Sequence, residues 1–93
     1  MKRALVMKPN DSVAVCIQDV LAGEEVETIL GSITANEDIP MPHKIAAKDI
    51  LFDEPVLKYE NVIGYATKEI KKGDWIHTHN VSPVNSSERV VTR

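Results

Sequence analysis

One eight-residue pattern constrains this chain more than any other feature. It reads acid, Val or Ile, two variable residues, Gly or Asp, acid, one variable residue, then Val or Ile. It occurs as DVLAGEEV at residues 19–26, DILFDEPV at 49–56 and EIKKGDWI at 69–76. An acid at the first place (Asp19, Asp49 or Glu69) can cap free backbone N–H groups of a one-turn helix. Gly23, Asp53 or Gly73 then reverses the chain with positive φ. The closing Val or Ile starts the next strand facing inward. Spacings of 30 and 20 residues describe a turn unit used repeatedly, not a solenoid.

Between these turns the apolar residues alternate. ALVMKP, SVAVCI, EVETILGSI, PVLKY, NVIGYA and DWIHTHNV are short runs rich in Val and Ile, bounded by Pro, Gly, Asn and Asp. Period two over such runs predicts β-strands, and no window longer than about ten residues carries a helical period. The expected fold class is mainly β, with one-turn helices at most. The 93 residues make one domain, whose folding buries only about 60–65% of the unfolded surface. A deep private active site is hard to build from so thin a core. A site shared across an interface is easier. SPVNSSERVVTR at the end is polar and reads as a C-terminal tail from residue 83, after a domain over residues 1–82.

The net charge of −3 and the scarcity of aromatics (4%) argue against a nucleic-acid partner. Cys16 stands alone within VAVCI, so it is expected to be a buried structural thiol. MKRALVMKPND never reaches an apolar run of the length a secretory leader needs, and no segment approaches the ~20 apolar residues of a membrane helix. A cytoplasmic protein without a membrane partner is expected.

The residues able to do chemistry fall in two places. In GDWIHTHNV, residues 73–81, a regular strand would put Trp75, His77, His79 and Val81 on one face and Ile76, Thr78 and Asn80 on the other. Two imidazoles so spaced can reach one metal ion, form an acid/base pair or grip a carboxylate. In IPMPHKIAAKDI, residues 39–50, Pro40 and Pro42 stiffen the loop that delivers His43 and Lys44 ahead of an apolar strand. A stiff loop carrying His and Lys suits an anion such as a carboxylate. No Gly-rich phosphate loop, serine nucleophile motif or paired-carboxylate signature is present.

These segments, in this order, resemble the small N-terminal module of the altronate and galactarate dehydratase family. The resemblance runs from about residue 2 to 82 and is carried by ALVMKPNDSVAV, DVLAGEEV, DIPMPHKIAAKDI and VLKYENVIGYATKEIKKGDWIHTHNV. It implies an SAF-type β-clip fold. It also implies a small subunit of a lyase that dehydrates a sugar acid such as altronate, paired with a large subunit and using Fe²⁺ or Mn²⁺. The small subunit of sulfolactate sulfo-lyase, which eliminates sulfite, has the same design. Carried onto this chain, the resemblance places the site at His43, Lys44, His77, Thr78, His79 and Asn80. His77 and His79 are expected as catalytic acid/base groups or metal ligands, His43 and Lys44 at the substrate carboxylate, and Asn80 at a substrate hydroxyl. The chain departs from the family at Met41 and Pro42 (usually Gly before the His-Lys pair), at Glu60 (usually Gly) and at Asp53 (usually Gly). The alternatives are a non-catalytic sugar-acid-binding or scaffold module, with a homo-oligomer allowed, and a sulfo-lyase subunit. The small size argues against an enzyme that works alone.

Overall fold

Among the described residues nine short strands are built from the alternating runs: β1 (Lys2–Leu5), β2 (Val13–Cys16), β3 (Glu25–Thr28), β4 (Gly31–Thr34), β5 (Lys44–Ala46), β6 (Pro55–Lys58), β7 (Asn61–Ala66), β8 (Trp75–Ile76) and β9 (Val81–Pro83). The computed structural model describes residues 2–83. Apart from Pro83, the expected tail lies outside the described residues. Six strands form one sheet in the order β4-β3-β1-β2-β5-β8, and three form another, β6-β7-β9. Only β1 and β3 run parallel; every other pair is antiparallel. The fold is mainly β, as expected, and no helix occurs among the described residues.

The repeated unit is a hydrogen-bonded turn rather than a helical one. The backbone N–H of Glu24, Glu54 and Asp74 donates to the carbonyl three residues back, on Leu21, Leu51 and Lys71. The carboxylates of the same three acids accept the N–H of Leu21, Leu51 and Lys71 in return. Gly23, Asp53 and Gly73 have φ of 89°, 67° and 97°, so the reversal falls where the pattern places it. Gly73 cannot be replaced, because a Cβ there would collide with the backbone carbonyl of Thr34. The first acid works differently from expectation. Asp19 accepts the N–H of Met41 at 2.9 Å, and Asp49 that of Lys72 at 2.8 Å, so each caps a partner turn and not its own.

That pairing exposes a fourth copy of the unit, at residues 38–45. Val20 pairs with Ile39 just as Ile50 pairs with Ile70. Asp38 accepts the N–H of Ala22 at 2.8 Å, matching the reach of Asp19 to Met41. The His43 N–H donates to the Pro40 carbonyl at 2.8 Å, closing the same turn. Pro42, after a cis peptide bond, stands where the others have Gly or Asp, and His43 stands where they have the capping acid. Residue 40 is proline and offers no N–H, so this turn has no use for a carboxylate at position 43. The position is left free for an imidazole.

The chain thus uses turn, strand, hairpin, turn, strand twice over: through β3, β4 and β5, then through β6, β7 and β8. The last strands of the two halves pair antiparallel, Lys44 opposite Ile76 and Ile45 opposite Trp75. The start of β5 therefore lies beside the end of β8. Two apolar clusters hold this frame. One gathers Val20, Val26, Ile33, Ile39 and Ile45 with Cys16; the other gathers Val13, Ile50, Val56, Ile70 and Ile76. Cys16 is fully buried, and burial pushes its thiol pKa up to about 11, so it is the inert core residue that its neighbours predict.

Tyr59 and Glu60 link β6 to β7 with φ of 57° and 62°, both in the left-handed region. A two-residue hairpin turn of this type favours Asn-Gly. Replacing Glu60 by Gly is therefore expected to stabilise the domain by about 0.5–1 kcal/mol, measured as a shift of the urea midpoint with unchanged slope. The hydrogen bond from Asn10 to Glu60 that would be lost is long, at 3.4 Å.

Candidate functional site

The antiparallel register of β5 and β8 brings the two histidine segments together. His43 precedes β5 and His77 follows β8. Their rings meet edge to face, with centroids 4.9 Å apart and planes at 85°. Trp75 braces both: it stacks on His77 at 5.2 Å with planes 6° apart and meets His43 edge-on at 5.4 Å. Its indole Nε1 is buried without a hydrogen-bond partner among the described residues, so ring contacts, not a polar tether, hold the indole there.

The strand does not continue through HTHN. It ends at Ile76, and residues 77–80 form a turn. The His77 carbonyl accepts the N–H of Asn80 at 3.1 Å and of Val81 at 3.0 Å. Asn80 locks this turn. Its Oδ1 accepts the His77 N–H at 3.0 Å and its Nδ2 donates to the Trp75 carbonyl at 2.7 Å. With 2% of its surface exposed, Asn80 is buried, and its amide is taken up by the backbone rather than turned toward a substrate. The shared face expected for Trp75, His77, His79 and Val81 is therefore broken. His77, Thr78 and His79 are exposed on the turn, and Val81 is buried in β9. His79 leans on Trp75 at 5.5 Å, with planes at 55°. The imidazole packed against His77 is His43, from the other segment.

Beside the imidazole pair lies a cleft of about 330 Å³. It runs between the β5–β8 end of the large sheet and the small sheet. His43, Lys44, His77 and Thr78 line it on one side, Lys58 and Ile63 on the other. Four of the six expected site residues thus share one cavity. Burial lowers the pKa of Lys44 below the ordinary lysine value, and the neighbouring charge of Lys58 lowers it further. Lys58 went unnoticed in the sequence because PVLKY reads as an ordinary strand with one solvated lysine. Nothing local marks it; only the packing of β6 against β2, the strand that pairs with β5, brings it to His43 and Lys44.

No three His, Cys, Asp or Glu side chains among the described residues gather into a metal-binding group. His43 and His77 could offer two nitrogens, short of the three protein ligands a catalytic metal usually takes. The residues of this chain alone do not fit a complete Fe²⁺ or Mn²⁺ site. What they offer is imidazole and ammonium groups.

Comparison with known proteins points to one family. Residues 2–83 match the altronate/galactarate dehydratase SAF domain. The chain is 34% identical over 80 residues to the altronate dehydratase of Bacillus subtilis (strain 168), a match covering 86% of this chain and 16% of that enzyme. It is 38% identical over 69 residues to the galactarate dehydratase (L-threo-forming) of Escherichia coli (strain K12), covering 72% of this chain and 13% of the relative. Against the (2R)-sulfolactate sulfo-lyase subunit alpha of Paracoccus pantotrophus it is 40% identical over 48 residues, 52% of this chain and 72% of that subunit. The chain therefore spans a small fraction of the dehydratases and most of a short lyase subunit. On the match over nearly its whole described length, it belongs to the altronate/galactarate dehydratase SAF-domain family.

Proposed function

We propose that this chain is the small subunit of a lyase that eliminates water from a sugar acid, and that it forms one wall of an active site completed by a large subunit. The observation that carries the reading is the Trp75-braced pair of His43 and His77, open at the mouth of a cleft that also holds Lys44 and Lys58. An imidazole pair suits a reaction that needs one base and one acid. One neutral imidazole takes the proton from the carbon beside the substrate carboxylate. The other, protonated, gives a proton to the hydroxyl leaving from the next carbon. The C–H and C–O bonds break, water departs, and the enol left behind tautomerises to a 2-keto acid. Lysine ammonium groups offset the charge that builds on the carboxylate as the proton leaves. Thr78, on the cleft wall, is placed for a substrate hydroxyl, and exposed His79 for the partner's side of the site. Asn80 is the residue that holds the turn. Any Fe²⁺ or Mn²⁺ would draw most of its ligands from the large subunit.

A second reading has its own support: the short relatives of this chain are sulfo-lyase alpha subunits. The same proton abstraction would then expel sulfite. Affinity purification of the tagged chain from its native cell separates the readings. A dehydratase-like large chain is expected at fixed ratio, with turnover of altronate or galactarate by the complex. Turnover of sulfolactate alone selects the second reading. A chain that purifies without a large partner contradicts both and leaves a free-standing sugar-acid-binding module.

A further inference from the structure

The cleft has an electrostatic peculiarity. Four groups on its wall can carry positive charge, His43, Lys44, Lys58 and His77, and the lining includes no carboxylate among the described residues. The protein as a whole is acidic, at −3. Ion pairs among the described residues are formed elsewhere, by Lys2 with Glu24 and Lys71 with Glu69. Acidic side chains are plentiful, yet none among the described residues lines this cavity. Two ammonium groups sharing a half-buried site repel each other and lose hydration, an arrangement stabilised when an anion joins them. Burial and the Lys58 charge together favour the neutral form of Lys44, as that imbalance predicts. Apart from Thr78, the rest of the lining, including Ile63, Ile76 and Val81, is apolar, which strengthens any charge interaction inside.

We infer that Lys58 pairs with Lys44 to form a carboxylate-binding subsite, so that the small chain by itself holds the acid end of a hydroxy-acid substrate beside His43 and His77. The inference rests on the elimination reading above and deepens it. It assigns the carboxylate to this chain and adds Lys58, which sits on the small sheet while Lys44 sits on the large one. The subsite does not discriminate between leaving groups, because the carboxylate is common to sugar acids and sulfolactate. Choice of leaving group falls to the other wall.

The test uses the 93-residue chain without its partner. Galactarate is titrated into the labelled chain and amide shifts are followed, against sodium chloride at matched ionic strength. Saturable shifts are expected at His43, Lys44, Lys58 and His77. Lys58→Met should weaken binding by about tenfold or more, the loss of one charge-assisted contact. Lys58→Arg should keep most of it, and Lys68→Met, on an exposed loop, should change nothing. Absent shifts, shifts reproduced by chloride, or binding indifferent to Lys58→Met would overturn the subsite. The amide spectrum of each variant reports its folding in the same experiment. Turnover by the assembled complex is measured separately. Turnover without binding by the lone chain defeats the subsite alone, while binding without turnover defeats the elimination reading alone.

Discussion

Replacing His77 by Ala is expected to lower turnover by the assembled enzyme by about 10²–10⁴-fold, the range for loss of a positioned acid or base, with the domain still folded. His77 is exposed, and its part in the 77–80 turn is played by its backbone, which bonds to Asn80 and Val81. Truncating the ring leaves those bonds intact. His43→Ala should behave alike, since its turn is also closed through the backbone N–H. The double variant should lose little more than either single one, because residues that act as a unit are non-additive. Wild-type turnover in His77→Ala would remove the imidazole pair from the mechanism. An unfolded variant would mean the ring is structural.

The second large effect is on stability and lies away from the cleft. Asp11 is buried, with 2% of its surface exposed. Its carboxylate accepts the N–H of Lys8 at 3.1 Å, of Tyr59 at 3.0 Å and of Glu60 at 2.8 Å. Tyr59 and Glu60 are the two hairpin residues held at positive φ, so Asp11 fastens the strained hairpin that places β6, and with it Lys58. Asp11→Ala should cost about 2–4 kcal/mol, from lost charge-assisted bonds and three stranded N–H donors. The pH dependence follows from the direction of its pKa. Burial pushes the carboxyl up, but the bonds from Glu60, Tyr59 and Lys8 outweigh it and hold the folded-state value below 3.8. A depressed pKa contributes stability that is complete above the unfolded value, near pH 4, and is lost as pH falls through the folded value. Urea unfolding followed from pH 6 to pH 2 should show this acid limb in the wild type and a flatter one in Asp11→Ala. Equal limbs in both would place the acid sensitivity elsewhere.

Much of the frame was legible because local rules and fold agree. Period-two runs became strands, and the DVLAGEEV pattern became turns with positive φ at Gly23, Asp53 and Gly73. The fourth turn escaped because Pro40 removes the N–H that the capping acid serves, which frees position 43, and because Pro42 replaces the Gly or Asp of the other copies. The proposed site residue His43 stands where the pattern lapses, and local consistency is often broken at functional positions. The HTHN segment misled for a different reason. Trp75, His77, His79 and Val81 keep perfect alternation, yet the Asn80 amide captures the His77 N–H and curls the chain. Asn is a residue whose side chain competes with the ladder in this way. The pairing of His43 with His77, and the arrival of Lys58, depend on the register of β5 with β8 and on the packing of β6. Neither is encoded within either segment.

The most direct measurement is the steady-state rate of altronate or galactarate dehydration by the large subunit, alone and with this chain added. The account predicts negligible turnover alone, full turnover at a fixed ratio of the two chains, and turnover lower by about 10²–10⁴-fold with the His43→Ala, His77→Ala chain. A large subunit that is equally active without this chain would show that the imidazole cleft is no part of the active site.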